Sequence, residues 1–247
     1  MKLFEDLLRA STPVIVLVEP DLAWAELYVL EKARLVGASD KILEYRATRG
    51  WDGSESLMHV SGLSTITNPK LQSDPIVYLS QFGSWLRGFF KNRPLVPEES
   101  PFFKGVAILH DLYREIDSPT FVRQIVELGQ DLAMHSATAV LIVPTALDRT
   151  HPLFAVSVQV WPEEFDEGRH APLVRGFARD LESIVGNVDV VSIARLLDDE
   201  TLARAEAILR LAALRLFEAD EQGREKPHDL VAFVRELKNS LNYPSKI

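Results

Sequence analysis

Pro13-Val-Ile-Val-Leu-Val-Glu19-Pro20-Asp21 is the stretch that decides the fold. Five consecutive apolar residues, largely β-branched, predict a strand buried on both faces rather than one with a wet side. Pro20 and Asp21 then open a helix in which Leu22, Ala25, Leu27, Val29, Leu30 and Ala33 recur at helical spacing up to Gly37. The segment joining strand to helix is equally informative for what it lacks. A phosphate-binding loop needs Gly-x-x-x-x-Gly-Lys-Ser/Thr here, because glycines let backbone N–H groups surround the phosphates while the lysine meets the outer ones. None of the twelve glycines precedes a lysine. The carboxylates of Glu19 and Asp21 stand where the helix N-terminus would otherwise accept an anion, and they repel phosphate.

Working outward, the same buried-strand pattern returns at Gly105-Val-Ala-Ile-Leu-His-Asp111 and Thr138-Ala-Val-Leu-Ile-Val-Pro144. A more amphipathic version runs from Phe154 to Trp161, and a shorter strand is expected at Ile42–Thr48. A short amphipathic helix precedes Pro13. Ser73-Asp74 caps a helix over Pro75–Phe90, and Ser118-Pro-Thr opens another through Ala133. Arg49-Gly-Trp-Asp-Gly53 reads as turn chemistry, followed by loop to Asp74. Strands separated by helices of a dozen or more residues predict an α/β fold: a mostly parallel sheet with helices on both faces. From Leu173 onward helix alone is expected, over Leu173–Ile184, Ile193–Leu197, Asp199–Leu216 and Pro227–Leu241. The division predicted is therefore an α/β domain over 1–165 and a helical subdomain over 166–247.

Composition bounds the functions. Of 247 residues, 47% are hydrophobic and 26% charged, the proportions of a globular protein with a sizeable core. There is no cysteine, which removes disulfides, thiolate metal sites and thiol catalysis. The net charge of −9 opposes direct nucleic-acid binding. Two acids in the first six residues break the pattern of a secretory leader, and no apolar run approaches bilayer length, so a cytoplasmic location without a membrane span is expected. The six histidines include no pair at two- or four-residue spacing, so no local metal motif is present. No Gly-x-Ser-x-Gly or Gly-x-Gly-x-x-Gly motif occurs either.

The order of elements, an α/β body followed by a helical lid, is the plan of the AAA+ ATPases. Val106-Ala-Ile-Leu-His-Asp111 is similar to the strand that ends in Asp-Glu in those enzymes, with His110 at the first acidic position and Asp111 at the second. Together with Leu3–Val18, Leu43–Gly50, Val140–Pro144, Gln159–Glu164 and Ile193–Glu206, it makes the chain resemble the N-terminal half of the large AAA+ family proteins encoded in cyanobacterial and algal plastid genomes. There a degenerate module lacking the P-loop precedes a complete ATPase domain, and the sequence ends at Ile247, about where that domain would begin. The resemblance implies an AAA+-like fold that does not hydrolyse ATP and has no cofactor of its own. The partner it implies is a protein, an active AAA+ ATPase among the candidates. Trp51, Trp161, Glu163 and Glu164 are the candidate partner-facing residues, since aromatics concentrate in interface hot spots and the acids open a charged run. Two alternatives remain at this stage. One is an atypical nucleotide-binding protein or NTPase, holding ATP through the Gly50–Gly53 loop with Asp111 on Mg²⁺. The other is a scaffold like the non-hydrolysing clamp-loader subunit.

Overall fold

All five residues of β1 (Val14–Val18) are buried, and the computed structural model shows what covers them. It describes residues 3–46, 50–53, 74–91, 96–163, 165–185, 188–221 and 230–242. The chain divides into two units, Met1–Glu163 and Glu164–Ile247, so the break falls inside the acidic run that begins at Glu163.

In the first unit, α1 (Leu3–Arg9) precedes β1, and α2 (Leu22–Leu35) leads to β2 (Ile42–Arg46) and β3 (Gly50–Gly53). Then come α3 (Pro75–Phe90), β4 (Val106–Leu109), α4 (Pro119–Met134), β5 (Thr138–Val143) and β6 (Val158–Val160). The six strands order as β3-β2-β4-β5-β1-β6. All neighbours pair in parallel except β2 and β3, which are antiparallel. Glycine at position 50 is required twice over. Its φ is +76°, and a Cβ there would lie 2.9 Å from the Tyr78 ring.

Alternation along the strands sorts their residues onto two faces. Val14, Val16, Val18, Leu43, Tyr45, Ala107, Leu109, Ala139, Leu141 and Val143 form one apolar cluster with Phe82 and Leu86 of α3 and Phe121, Ile125 and Leu128 of α4. The alternate residues of β1, β4 and β5 point the other way, beneath α2, whose Trp24, Ala25, Tyr28, Val29 and Ala33 are buried. Asp21 caps α2, its side chain accepting from Trp24 N at 3.1 Å. Asp74 does the same for α3, accepting from Ile76 N at 2.9 Å.

Three expectations are corrected. Gly50–Gly53 is not a turn but a strand, held by pairing of Leu43 with Gly53 and Arg46 with Gly50. Phe154–Trp161 is only half strand: Pro152 starts a 3₁₀ turn over 152–155, capped by His151 accepting from Leu153 N, and pairing with β1 spans Val158–Val160 alone. Trp51, expected to face a partner, is buried in the fold. It is 6% exposed, packs 4.6 Å from the Phe82 ring and donates its indole N–H to Tyr78 O at 3.3 Å.

The described residues of the second unit form four helices, α5 (Ala171–Val185), α6 (Val190–Leu197), α7 (Leu202–Glu221) and α8 (Leu230–Asn242). Their apolar faces meet at Val174, Ile193, Leu197, Ile208, Leu209, Ala212, Leu216 and Val234. Asp189 caps α6, accepting from Ser192 N at 3.0 Å.

A buried ion pair joins α1 to α2: Lys32 Nζ lies 2.8 Å from Glu5 Oε1, with side chains 8% and 3% exposed. Removing one partner takes away the main charge match of a group in a dry site, Glu5 keeping only the longer contact to Arg9 at 3.4 Å among the ion pairs described. Lys32→Met or Glu5→Leu alone should therefore cost about 3–5 kcal/mol in urea unfolding, whereas the double substitution should recover most of that loss.

Candidate functional site

The register that makes the sheet also assembles a charged group at its carboxyl edge. Glu44 is paired with Ile108, and His110 continues the β2–β4 ladder by donating its N–H to Tyr45 O at 2.9 Å. Two-residue alternation then places Glu44, Arg46 and His110 on the face covered by α2. Glu26, on the second turn of α2, reaches down to them.

Arg46 Nη2 bonds Glu26 Oε1 and lies 3.2 Å from Glu44 Oε2. The His110 ring stands between the same two acids, Nδ1 3.9 Å from Glu26 Oε2 and Nε2 3.6 Å from Glu44 Oε2. Both separations exceed hydrogen-bond length. His110 is 5% exposed, and its Nε2 is buried without a hydrogen-bond partner. The imidazole beside it holds the Glu44 carboxyl below the ordinary carboxylate range, against the opposing effect of burial and with help from Arg46. Burial works against the charge on Arg46, but pairing with Glu26 and Glu44 outweighs it and raises its pKa. Donor atoms of Glu26, Glu44 and His110 all lie within 4.8 Å of one another.

This group borders a cleft of about 140 Å³ that Leu22, Ile142 and Asp111 also line. Such a volume holds a few waters, well short of the 300 Å³ or more of a site for a drug-sized ligand. Asp111 sits at its rim in the left-handed conformation, φ +61°, making no capping hydrogen bond. The β1–α2 turn beside it is closed from within. Glu19 is 6% exposed, its N–H donates to Val143 O, and its Oε1 accepts from Asp21 N at 2.9 Å. With Asp21 accepting from Trp24 N, the chain's own carboxylates take N–H groups that a bound phosphate would use.

The remaining candidates are scattered. Trp161 follows β6 and is 58% exposed, with Val158 of the same edge strand 40% exposed. Glu163 is engaged: Oε1 accepts from Leu3 N at 2.7 Å, at the start of α1, and its N–H donates to Tyr28 Oη at 3.2 Å. That carboxylate is a tie within the unit. Glu164 lies outside the described residues. Arg204 and Arg210 pair with Glu200 and Glu206 one turn back, and Arg215 with Glu236 on α8.

Sequence reasoning placed His110 at the first acidic position of an Asp-Glu strand ending and missed Glu26, Glu44 and Arg46. Their spacing is non-local, and no local motif search brings them together. The legible signal was the alternation of Glu44 and Arg46 in a short strand, since a strand covered on both faces must pair any charge it carries.

His135 shows why a serine–histidine contact alone is not a catalytic pair. Its Nδ1 meets Ser100 Oγ, and its Nε2–H donates to Leu86 O at 3.1 Å, which leaves Nδ1 to accept. Both residues are buried, at 1% and 4% exposure. Compared with known protein families and with curated proteins, the chain matches none. No helix among the described residues is long and apolar enough to cross a membrane.

Burial pushes the His135 pKa below that of a free imidazole, with the Leu86 hydrogen bond partly opposing. A base depressed by folding stabilises the protein fully above its unfolded pKa of about 6.5 and loses that contribution as pH falls below it. Urea midpoints should thus decline from about pH 7.5 to about pH 5.5. In His135→Gln the decline should be shallower, by up to about 1.4 kcal/mol per pH unit.

Proposed function

We propose that the chain is a non-hydrolysing AAA+-like module that acts by docking on a protein partner, an active AAA+ ATPase being the partner that the resemblance favours. The observation that carries this reading is the self-satisfied β1–α2 turn. Glu19 and Asp21 accept the Asp21 and Trp24 N–H groups at the place where a nucleotide-hydrolysing relative would hold phosphate. A buried or capping carboxylate there offers a nucleotide like charge in place of donors. Trp161 supplies the exposed aromatic that a docking surface needs, at the edge of the sheet beside exposed Val158.

An atypical Mg²⁺-dependent nucleotide-binding protein is the second reading, favoured by one observation: Asp111 stands unpaired as a cap at the rim of the charged cleft. The Gly50–Gly53 segment gives it no support, because its backbone is engaged with β2. The clamp-loader-like scaffold has no observation in its favour.

Isothermal titration with ATP or ADP in the presence of Mg²⁺ should give no saturable heat. Stoichiometric binding at micromolar affinity would overturn the proposal, and its loss in Asp111→Asn would establish the second reading. Trp161→Ala should leave the unfolding midpoint within about 0.5 kcal/mol of the parent, as a surface change does. The same substitution should weaken a purified AAA+ partner's binding about 30-fold, the effect of losing one aromatic hot spot.

A further inference from the structure

We infer that Glu26, Glu44 and His110 form a binding site for one divalent first-row transition-metal ion, Zn²⁺ in the first instance. The site stands independently of the docking role and needs no nucleotide.

The donors come from three elements, α2, β2 and the residue after β4, which the sheet register and the α2 crossover hold together. An ion bound tetrahedrally at about 2.1 Å by nitrogen and oxygen needs its donors about 3.4 Å apart. With one ligand atom taken from each residue, a single ring nitrogen of His110 included, the three donors all lie within 4.8 Å of one another, so modest side-chain adjustment brings them to that value. Acids near one another do not by themselves make a site. The independent sign is His110: a side chain 94% buried, with Nε2 lacking any hydrogen-bond partner and aimed at Glu44. A buried imidazole nitrogen left unmatched costs free energy unless something binds it. Two carboxylates against the single guanidinium of Arg46 also leave net negative charge in a half-buried setting, which a cation would offset.

Donor chemistry narrows the ion. One imidazole with two carboxylates suits Zn²⁺ and its first-row neighbours better than Mg²⁺ or Ca²⁺, which prefer oxygen alone. Arg46 bonds Glu26 Oε1, leaving Oε2 to ligate, and at 3.2 Å it also bonds Glu44 Oε2, so both carboxylates would ligate while held by the same guanidinium. It acts as an outer partner that orients the ligand. Three protein donors leave a fourth position for a water in the cleft bordered by Asp111.

The test is titration of the full chain with Zn²⁺ alone, nucleotide absent, by calorimetry, with Co²⁺ as a visible-absorption probe of coordination. One ion per chain is expected, with Co²⁺ bands of low-coordinate N/O ligation. His110→Ala and Glu44→Gln should each weaken binding at least tenfold while circular dichroism stays unchanged. Should either variant fail to fold, Glu26, whose side chain is 23% exposed, provides the control: Zn²⁺ should raise the melting temperature of the parent and not that of Glu26→Gln. No saturable binding by the parent would overturn the assignment. Binding of equal strength in His110→Ala or Glu26→Gln would overturn it as well. Neither result bears on whether ATP binds, so the docking proposal stands or falls separately.

Discussion

Complete burial of β1 is the constraint from which the rest of the first unit follows. A central strand with no wet face requires helical cover on both sides, and in a parallel sheet the connections themselves provide it. α2 covers one face on the way from β1 to β2, and α3 and α4 cover the other on the way back through β4 to β5. The carboxyl ends of the strands consequently share one edge, where crossovers depart in opposite directions. Open α/β sheets keep their ligand sites at such edges, and there this chain gathers its charged residues.

What occupies that edge is unusual in its sign. A helix N-terminus following a buried strand ordinarily attracts an anion from outside. Here Glu19 and Asp21 serve as built-in anions, and on the same edge Arg46 and His110 face two further acids. The edge is thus arranged around internal negative charge, an environment that favours a cation over a phosphate.

Long apolar runs and capping residues made most of the elements readable beforehand. Val14–Val18, Val106–Leu109 and Thr138–Val143 have no reading except buried strand, and Asp21 and Asp74 mark the starts of their helices. Errors arose where tertiary pairing overrode local chemistry. Gly50-Trp-Asp-Gly53 carries turn residues, yet it becomes an edge strand because Trp51 has a hydrophobic slot between Tyr45 and Phe82. The Glu26–Glu44–His110 group escaped notice for a related reason. Its members lie far apart in the chain, and only a parallel register, which no short window encodes, sets Arg46 beside His110.

Charged ties hold α2 at two places: Lys32 to Glu5 of α1 near its end, and Glu26 to Arg46 of β2 near its start. A helix fastened at both ends is a poor ratchet. Sliding by one turn would move it 5.4 Å and separate both pairs at once. Force applied to this unit would consequently be transmitted through α2 and the sheet as a stiff body, with little of it absorbed as slippage between layers.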